Sequence, residues 1–238
     1  MTSRVTLPQQ RALETRERII DAAARAFARR GYGQATVNDI AAEAGISMGA
    51  LYHHFASKEE LFRAILDEHL RRELAELSGL RPAASVREVI ERLVDFQVDH
   101  LQSEHQLDRL FMELWALAVR EDWARGPVAG SFRFARDLLA GMLRVARDVG
   151  VVRPDLDIEA AAVLLEAVFI GISVQWAIDP EAVSPQRVRQ AWADLIERFI
   201  RAGPEGDVEK LEERLAALFG QLSGEQAPSP SDTENPGV

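Results

Sequence analysis

The sequence predicts an all-α protein, on three observations. No run alternates apolar and polar residues with period two, and no Asn-Gly or Asp-Gly hairpin turn occurs. Apolar residues recur instead at spacings of three and four from Leu13 to Leu222. Glycines and prolines punctuate that pattern at roughly one-helix intervals.

Residues 1–10 lack periodicity, contain Pro8, and read as a flexible arm. From Leu13 to Arg30 the pattern is helical, with Ile20, Ala23, Ala24 and Phe27 on one face, and Gly31 behind Arg29-Arg30 is its stop. Thr36 opens a short helix, with Asp39 three residues on in the capping-box pattern, and Gly45 breaks it. Ser47 caps another short helix through Phe55. Ser57 caps a fourth, reaching about Leu77, with Phe62, Ile65, Leu66 and His69 on one face.

Gly79 and Pro82 mark a joint. Beyond it, Val86, Val89, Ile90, Leu93, Val94, Gln97, His100 and Leu101 form one stripe. Leu107, Leu110, Phe111, Leu114, Trp115 and Ala118 form the next. Gly126-Pro127 separates that helix from one carrying Ala135, Leu138, Leu139, Met142, Ala146 and Val149 inward. Residues 158–178 are apolar nearly all round, and Asp179-Pro180 stops them. Val188, Trp192, Leu195, Ile196 and Phe199 make a ninth helix; Val208, Leu211, Leu215, Leu218 and Leu222 a tenth. The tail at 223–238, rich in Pro, Ser, Glu and Asp, reads as disordered.

Composition narrows the function. Of 238 residues, 47% are hydrophobic and 28% charged, as in an ordinary soluble globular protein. The absence of cysteine excludes disulfides, thiol nucleophiles, Cys-ligated zinc and iron–sulfur clusters, and fits a cytoplasmic location. The N-terminus has no apolar h-region, so no secretory signal is expected. The net charge of −10 is unevenly spread. Residues 1–58 carry eight basic and five acidic side chains, a local excess of +3, and the remainder carries −13. A basic head on an acidic body suggests that the head faces an anionic partner.

Thr36 to Leu61 carries the chemistry. It reads as a helix, a tight glycine turn and a second helix, with Ala41 and Gly45 small at the crossing and Ile40, Ile46 and Leu51 as the seam. That is the helix-turn-helix layout, whose second helix enters the major groove of double-stranded DNA. Ser47 and Met48 open the second helix, Gly49 lets backbone approach a duplex, Tyr52 offers a hydroxyl and His53 ring nitrogens. Thr36 and Lys58 lie at neighbouring helix N-termini, which favour phosphate oxygens. A metal site at His53-His54 is not expected: adjacent helical residues diverge by about 100°, and no His-Glu-x-x-His motif is present. No nucleophile elbow, phosphate loop or dinucleotide fingerprint occurs, so neither an enzyme nor a bound cofactor is expected.

The run Gly49-Ala50-Leu51-Tyr52-His53-His54-Phe55, followed by Ser57-Lys58-Glu59-Glu60-Leu61, resembles the TetR family of bacterial transcriptional repressors. Ile20-Asp21-Ala22-Ala23-Ala24 to Phe27, Gly31-Tyr32, and Thr36-Val37-Asn38-Asp39-Ile40-Ala41 are similar to the same family's head. The resemblance covers roughly residues 15–66; beyond it, Leu114 to Pro180 is similar to the ligand-binding domain of choline- and drug-responsive branches. It implies a homodimer with a three-helix DNA-binding head (residues 11–56), a connecting helix (57–78), and a ligand-binding and dimerisation body (79–222). A small-molecule effector in the body would alter the separation of the heads and release a palindromic operator. Thr36, Ser47, Gly49, Tyr52, His53 and Lys58 match DNA-contacting positions, and Met48 and Ala50 match positions that set base preference. The alternatives are an activator, a ligand-independent regulator, or a helical small-molecule-binding protein or enzyme with an incidental head.

In the body, Gln97 and His100 fall on an apolar stripe. They either bond to backbone or buried water, or line an effector cavity with Phe96, Phe111, Trp115, Phe132, Met142, Phe169, Ser173 and Trp176. Residues 160–178 approach membrane-span length, but Glu166 and Gln175 would be costly in lipid, so no membrane partner is expected. A helix buried on two faces explains the run. Val168 and Ile172 would pair with Trp192, Leu195, Ile196 and Phe199 in a four-helix dimer interface.

Overall fold

The structure is a computed structural model, and it describes residues 6–79, 85–103, 105–181, 183–200 and 207–224. It is all-α: α1 (Leu7–Arg30), α2 (Val37–Ala44), α3 (Met48–His54), α4 (Lys58–Ser78), α5 (Val86–Ser103), α6 (His105–Arg120), α7 (Asp122–Asp148), α8 (Ile158–Ile178), α9 (Pro185–Ile200) and α10 (Val208–Gly224).

Two boundaries differ from expectation. Residues 7–10 belong to α1 rather than to an arm, because Thr6 and Gln9 form a reciprocal capping box with Pro8 at the start of the helix. Gly126-Pro127 does not break the chain: α7 runs through it with Pro127 inside. The break falls at Glu121, whose carbonyl accepts from Ala124 and Arg125 as α7 restarts. Pro127 stands close enough to that start to forfeit only its own bond, to Trp123. The tail beyond residue 224 lies outside the described residues.

Among the described residues the buried apolar side chains form two clusters. The first joins α1–α3 to the first half of α4 and to α6 and the start of α7, through Phe27, Phe55, Phe62, Leu110, Leu114 and Val128. The second joins α5, α8, α9 and α10 to the far ends of α4 and α7, through Leu77, Val94, Leu143, Ala161, Trp192 and Leu215. The two clusters thus do not divide at the joint near Gly79. Helices α4 and α7 run through both clusters, and α6 packs on α1. Ion pairs staple the second cluster: Arg87 bonds Glu91, Asp194 and Glu197 to tie α5 to α9, and Arg92 reaches Glu212 on α10 at 2.6 Å.

Candidate DNA-binding head and effector cavity

The turn between α2 and α3 is set by Gly45, which stops α2 in the left-handed region at φ 68°. Its amide and that of Ile46 return to Ala41 and Ala42. Ser47 then caps α3, its Oγ accepting from Ala50 N at 3.2 Å. Leu51 and Phe55 turn inward, leaving Met48, Gly49, Ala50, Tyr52 and His53 outward. Tyr52 is 49% exposed and Met48 40%. The outward row contains the α3 residues expected to meet DNA.

Gly49 is informative because the protein does not need it. A Cβ there would meet nothing nearer than Ser47 Oγ at 3.9 Å, and its φ is not positive. A glycine in an exposed helix costs up to about 1 kcal/mol relative to alanine. The fold therefore has room for a methyl group at position 49.

Thr36 caps α2, but its hydroxyl is engaged: Oγ1 donates to Asp39 Oδ2 at 2.7 Å and accepts from Asp39 N at 3.1 Å. These bonds from Thr36, with Arg30 nearby, hold the Asp39 carboxyl below its ordinary value. Lys58 differs from expectation most. Its Nζ lies over the Tyr32 ring, 4.3 Å from the centroid, and 5.7 Å from that of Phe27. Burial lowers the ammonium pKa, and Glu59 and Glu113 partly restore it. Several head cations are likewise held internally: Arg25 and Arg29 bond Glu43, and Arg30 pairs with Asp39 at 2.6 Å, clasping α1 to α2.

The body holds a cavity of about 210 Å³. Helix α4 supplies Leu70, Glu73, Leu74 and Leu77, and α5 supplies Val89, Ile90, Leu93, Phe96 and Gln97. Phe134, Ala135, Leu138, Leu139, Met142 and Leu143 come from α7, with Leu165, Glu166 and Phe169 from α8. Trp192 and Ile196 from α9, and Leu211 and Leu215 from α10, complete the wall. Of the expected lining, Phe96, Gln97, Met142 and Phe169 are here. Gln97 is satisfied by protein, its Oε1 accepting from Trp192 Nε1 at 3.1 Å.

Phe111, Trp115 and Phe132 are not in the cavity. They pack in or against the first cluster, Phe111 against His69 with ring centroids 4.3 Å apart and Trp115 against Phe132 at 5.8 Å. Ser173 is buried but spent on its own helix, its Oγ donating to the Phe169 carbonyl at 3.0 Å. Trp176 is half-buried and is not part of this cavity's lining. His100 lies on α5 with its side chain outside the described residues.

The expected interface residues also divide. Trp192 is 4% exposed and lines the cavity, and Ile196, partly buried, lines it too. Ile172 and Phe199 are half-buried against the second cluster. Val168 and Leu195 are exposed, and Val163, Leu164 and Ile178 join them. Helix α8 is long and apolar enough to cross a membrane by length and composition. It packs instead against α7, α6 and α5, with Glu166 paired to Arg136 at 3.3 Å.

Sequence reasoning missed Glu73, Phe134 and the α10 leucines as lining. Phe134 stands between Arg133 and Ala135, two residues after Phe132, and nothing local marks it as lining. The Leu211–Leu215 stripe was visible, but not what it faces. Among the described residues no group of three or more His, Asp or Glu side chains could hold a metal.

Comparison with known proteins agrees with this architecture. Residues 19–65 match the family of bacterial regulatory proteins of the tetR type, and residues 86–201 match the C-terminal domain of BetI-type transcriptional repressors. The chain is 29% identical over 213 residues to the probable HTH-type transcriptional regulator ArpR of Pseudomonas putida, covering 82% of this chain and 96% of that one. It is 31% identical over 208 residues to the A-factor receptor protein of Streptomyces griseus, covering 84% and 71%. A regulator from Saccharomonospora viridis, solved in complex with choline, superposes with a TM-score of 0.65 at 28% identity, covering 80% of this chain and 100% of that one. The helix-turn-helix head, the helical body and these matches agree: the chain belongs to the TetR family, as a ligand-responsive DNA-binding transcriptional regulator and not an enzyme.

Proposed function

We propose that the protein is a cytoplasmic, homodimeric transcriptional repressor that binds a palindromic operator and is released by a small, largely hydrophobic effector. One observation carries the reading. Helix α4 has Leu61, Phe62 and Ile65 in the core of the head and Leu70, Leu74 and Leu77 in the cavity wall. A molecule that favours a different spacing of α4 and its neighbours in the body moves the head, and its leverage equals its differential affinity for the two arrangements. The apolar wall suits a hydrophobic effector, and the choline complex of the Saccharomonospora viridis regulator supports a small organic molecule.

In the DNA-bound dimer, two α3 helices lie about 34 Å apart in successive major grooves. Thr36, Ser47, Gly49, Tyr52, His53 and Lys58 then serve backbone contact, and Met48 and Ala50 base preference. The exposed α8 face with Leu195 forms the dimer contact. The test is fluorescence anisotropy on DNA flanking the gene, at two salt concentrations, with footprinting of any fragment bound. A two-fold protected site with steep salt dependence is expected. Failure of flanking and genome-selected fragments to bind better than random DNA overturns the reading.

A further inference from the structure

Helix α10 closes one side of the cavity, and its two edges are held differently. It packs on α4 and α7. At the α7 edge the fit is close. A Cβ at Gly141 would stand 3.4 Å from Leu218 Cδ2, and Arg214 meets Asp148 at 3.4 Å. At the α5 edge the packing is slight, because α5 makes its main contact with α9. One ion pair spans that edge, Arg92 Nη2 to Glu212 Oε1 at 2.6 Å. Both side chains are partly exposed, and the buried Nε of Arg92 has no hydrogen-bond partner among the described residues. A single partly exposed pair with a donor left over is a weak fastening. A second hollow lies at the same edge. It is a groove of about 50 Å³ between α4, α5 and α10, with Arg92 and Glu212 in its lining. Ser78 and Ala216, also in that lining, are exposed, so the groove reaches the surface. Leu77, Val89, Leu93 and Leu215 line both the groove and the cavity. The partition between the two hollows is therefore a layer of side chains.

We propose that the effector enters and leaves through this seam between α5 and α10, with Leu215 as the plug and the Arg92–Glu212 pair as the latch. The proposal rests on the reading of this cavity as the effector site. The seams between α7 and α8 and between α5 and α9 are closely packed, and opening either would break the body's main contacts. Moving Leu215 and parting one ion pair joins the cavity to a groove that already meets solvent. Helix α10 lies beyond residues 86–201, so Leu215 and Glu212 stand outside the stretch matched to the BetI-type domain. A latch differs from a wall residue in its kinetics. It is closed in the empty and in the filled protein alike. Loosening it lowers the barrier between the two states and leaves their free-energy difference alone, so both rates rise together.

Stopped-flow fluorescence of N-phenyl-1-naphthylamine, a neutral apolar probe, measures entry into the full-length protein, and dilution of the complex measures departure. Glu212→Gln should raise both rates by about fivefold and leave Kd within about twofold. Arg92→Cys with Glu212→Cys tests the seam from the other side. The chain has no cysteine, so propane-1,3-diyl bismethanethiosulfonate bridges these two positions alone. The bridge should slow both rates by about tenfold or more, and dithiothreitol should restore them. Bridged and reduced proteins that exchange the probe at one rate place the route elsewhere and overturn the proposal. A Glu212→Gln change in only one of the two rates makes the pair part of the wall and overturns the latch. The effector-site reading survives either result if Ala135→Trp abolishes binding. No binding of the probe, or binding indifferent to Ala135→Trp, brings down that reading and the proposal with it.

Discussion

The backbone amide of Tyr32 donates to Glu113 Oε1 at 2.8 Å, joining residues 81 positions apart. The bond fastens the loop after α1 to α6, so head and body meet at a specific part-buried hydrogen bond as well as through apolar packing. Gly31 makes room for it. At φ 80° the residue adopts a conformation that L side chains avoid, and a Cβ there would stand 3.2 Å from Glu113 Oε1. The ring of Tyr32 stacks on Trp123 of α7 at 5.2 Å, in the same junction.

Glu113→Ala should therefore destabilise the protein by about 1–3 kcal/mol, the cost of a part-buried amide losing a charged acceptor. Gly31→Ala should cost about 1–3 kcal/mol from its backbone conformation, φ 80° and ψ 150°, alone. Because both act on one contact, the double variant should cost less than the sum. Urea denaturation of the four proteins measures the cycle. Strict additivity would show that Gly31 and Glu113 act independently.

Gly49→Ala separates folding from recognition. The fold has room for the methyl, so thermal stability should hold or rise by up to about 1 kcal/mol. Operator affinity should fall by about tenfold or more, because the methyl occupies space meant for the duplex. Tyr52→Phe should weaken binding to all sequences alike, whereas changes at Met48 or Ala50 should shift base preference. Unchanged affinity in Gly49→Ala would place the DNA away from this part of α3.

Acid should loosen the head through Glu43. Hydrogen bonding from Arg29, then Arg25, holds its carboxyl below the ordinary value of 4.5. A carboxylate lowered on folding contributes stability that is complete above the unfolded value and disappears as pH falls through the folded one. The melting midpoint should fall as pH drops below about 4.5, and Glu43→Gln should flatten that dependence. An identical acid profile in the variant would show that the clasp of α1 to α2 contributes nothing measurable, as for many exposed pairs.

The head was legible in the sequence because its signals are local. Caps at Thr36, Ser47 and Ser57, the left-handed stop at Gly45 and the inward pair Leu51 and Phe55 each follow from a few neighbouring residues. Of ten expected lining residues the cavity holds four, because lining is a property of several helices at once. Phe111 and Phe96 are both single phenylalanines on neighbouring helices, but α6 packs on α1 and α5 on α9, which sends one ring to the head's core and the other to the cavity. Lys58 shows the same limit. Its place at a helix N-terminus was readable, and the ring of Tyr32 beneath its ammonium was not.

Helix α8 gives the last prediction. Being apolar nearly all round, it carries no sequence signal for which side faces a partner, and only the packing separates its sides. Ala161, Ala162 and Leu165 are buried, whereas Val163, Leu164, Val168 and Ile178 are exposed, with Leu195 of α9 also uncovered. An exposed apolar face of this kind marks a contact surface. Leu164→Glu should leave the monomer's own stability within about 0.5 kcal/mol, since the side chain touches solvent. It should place a charge in the dimer contact, converting the protein to a monomer by light scattering after gel filtration. Loss of the two-headed grip should then weaken operator binding by about 10²-fold or more, with the single head still bound at high concentration. A Leu164→Glu protein that keeps the dimer mass and full operator affinity would place the subunit contact on another face.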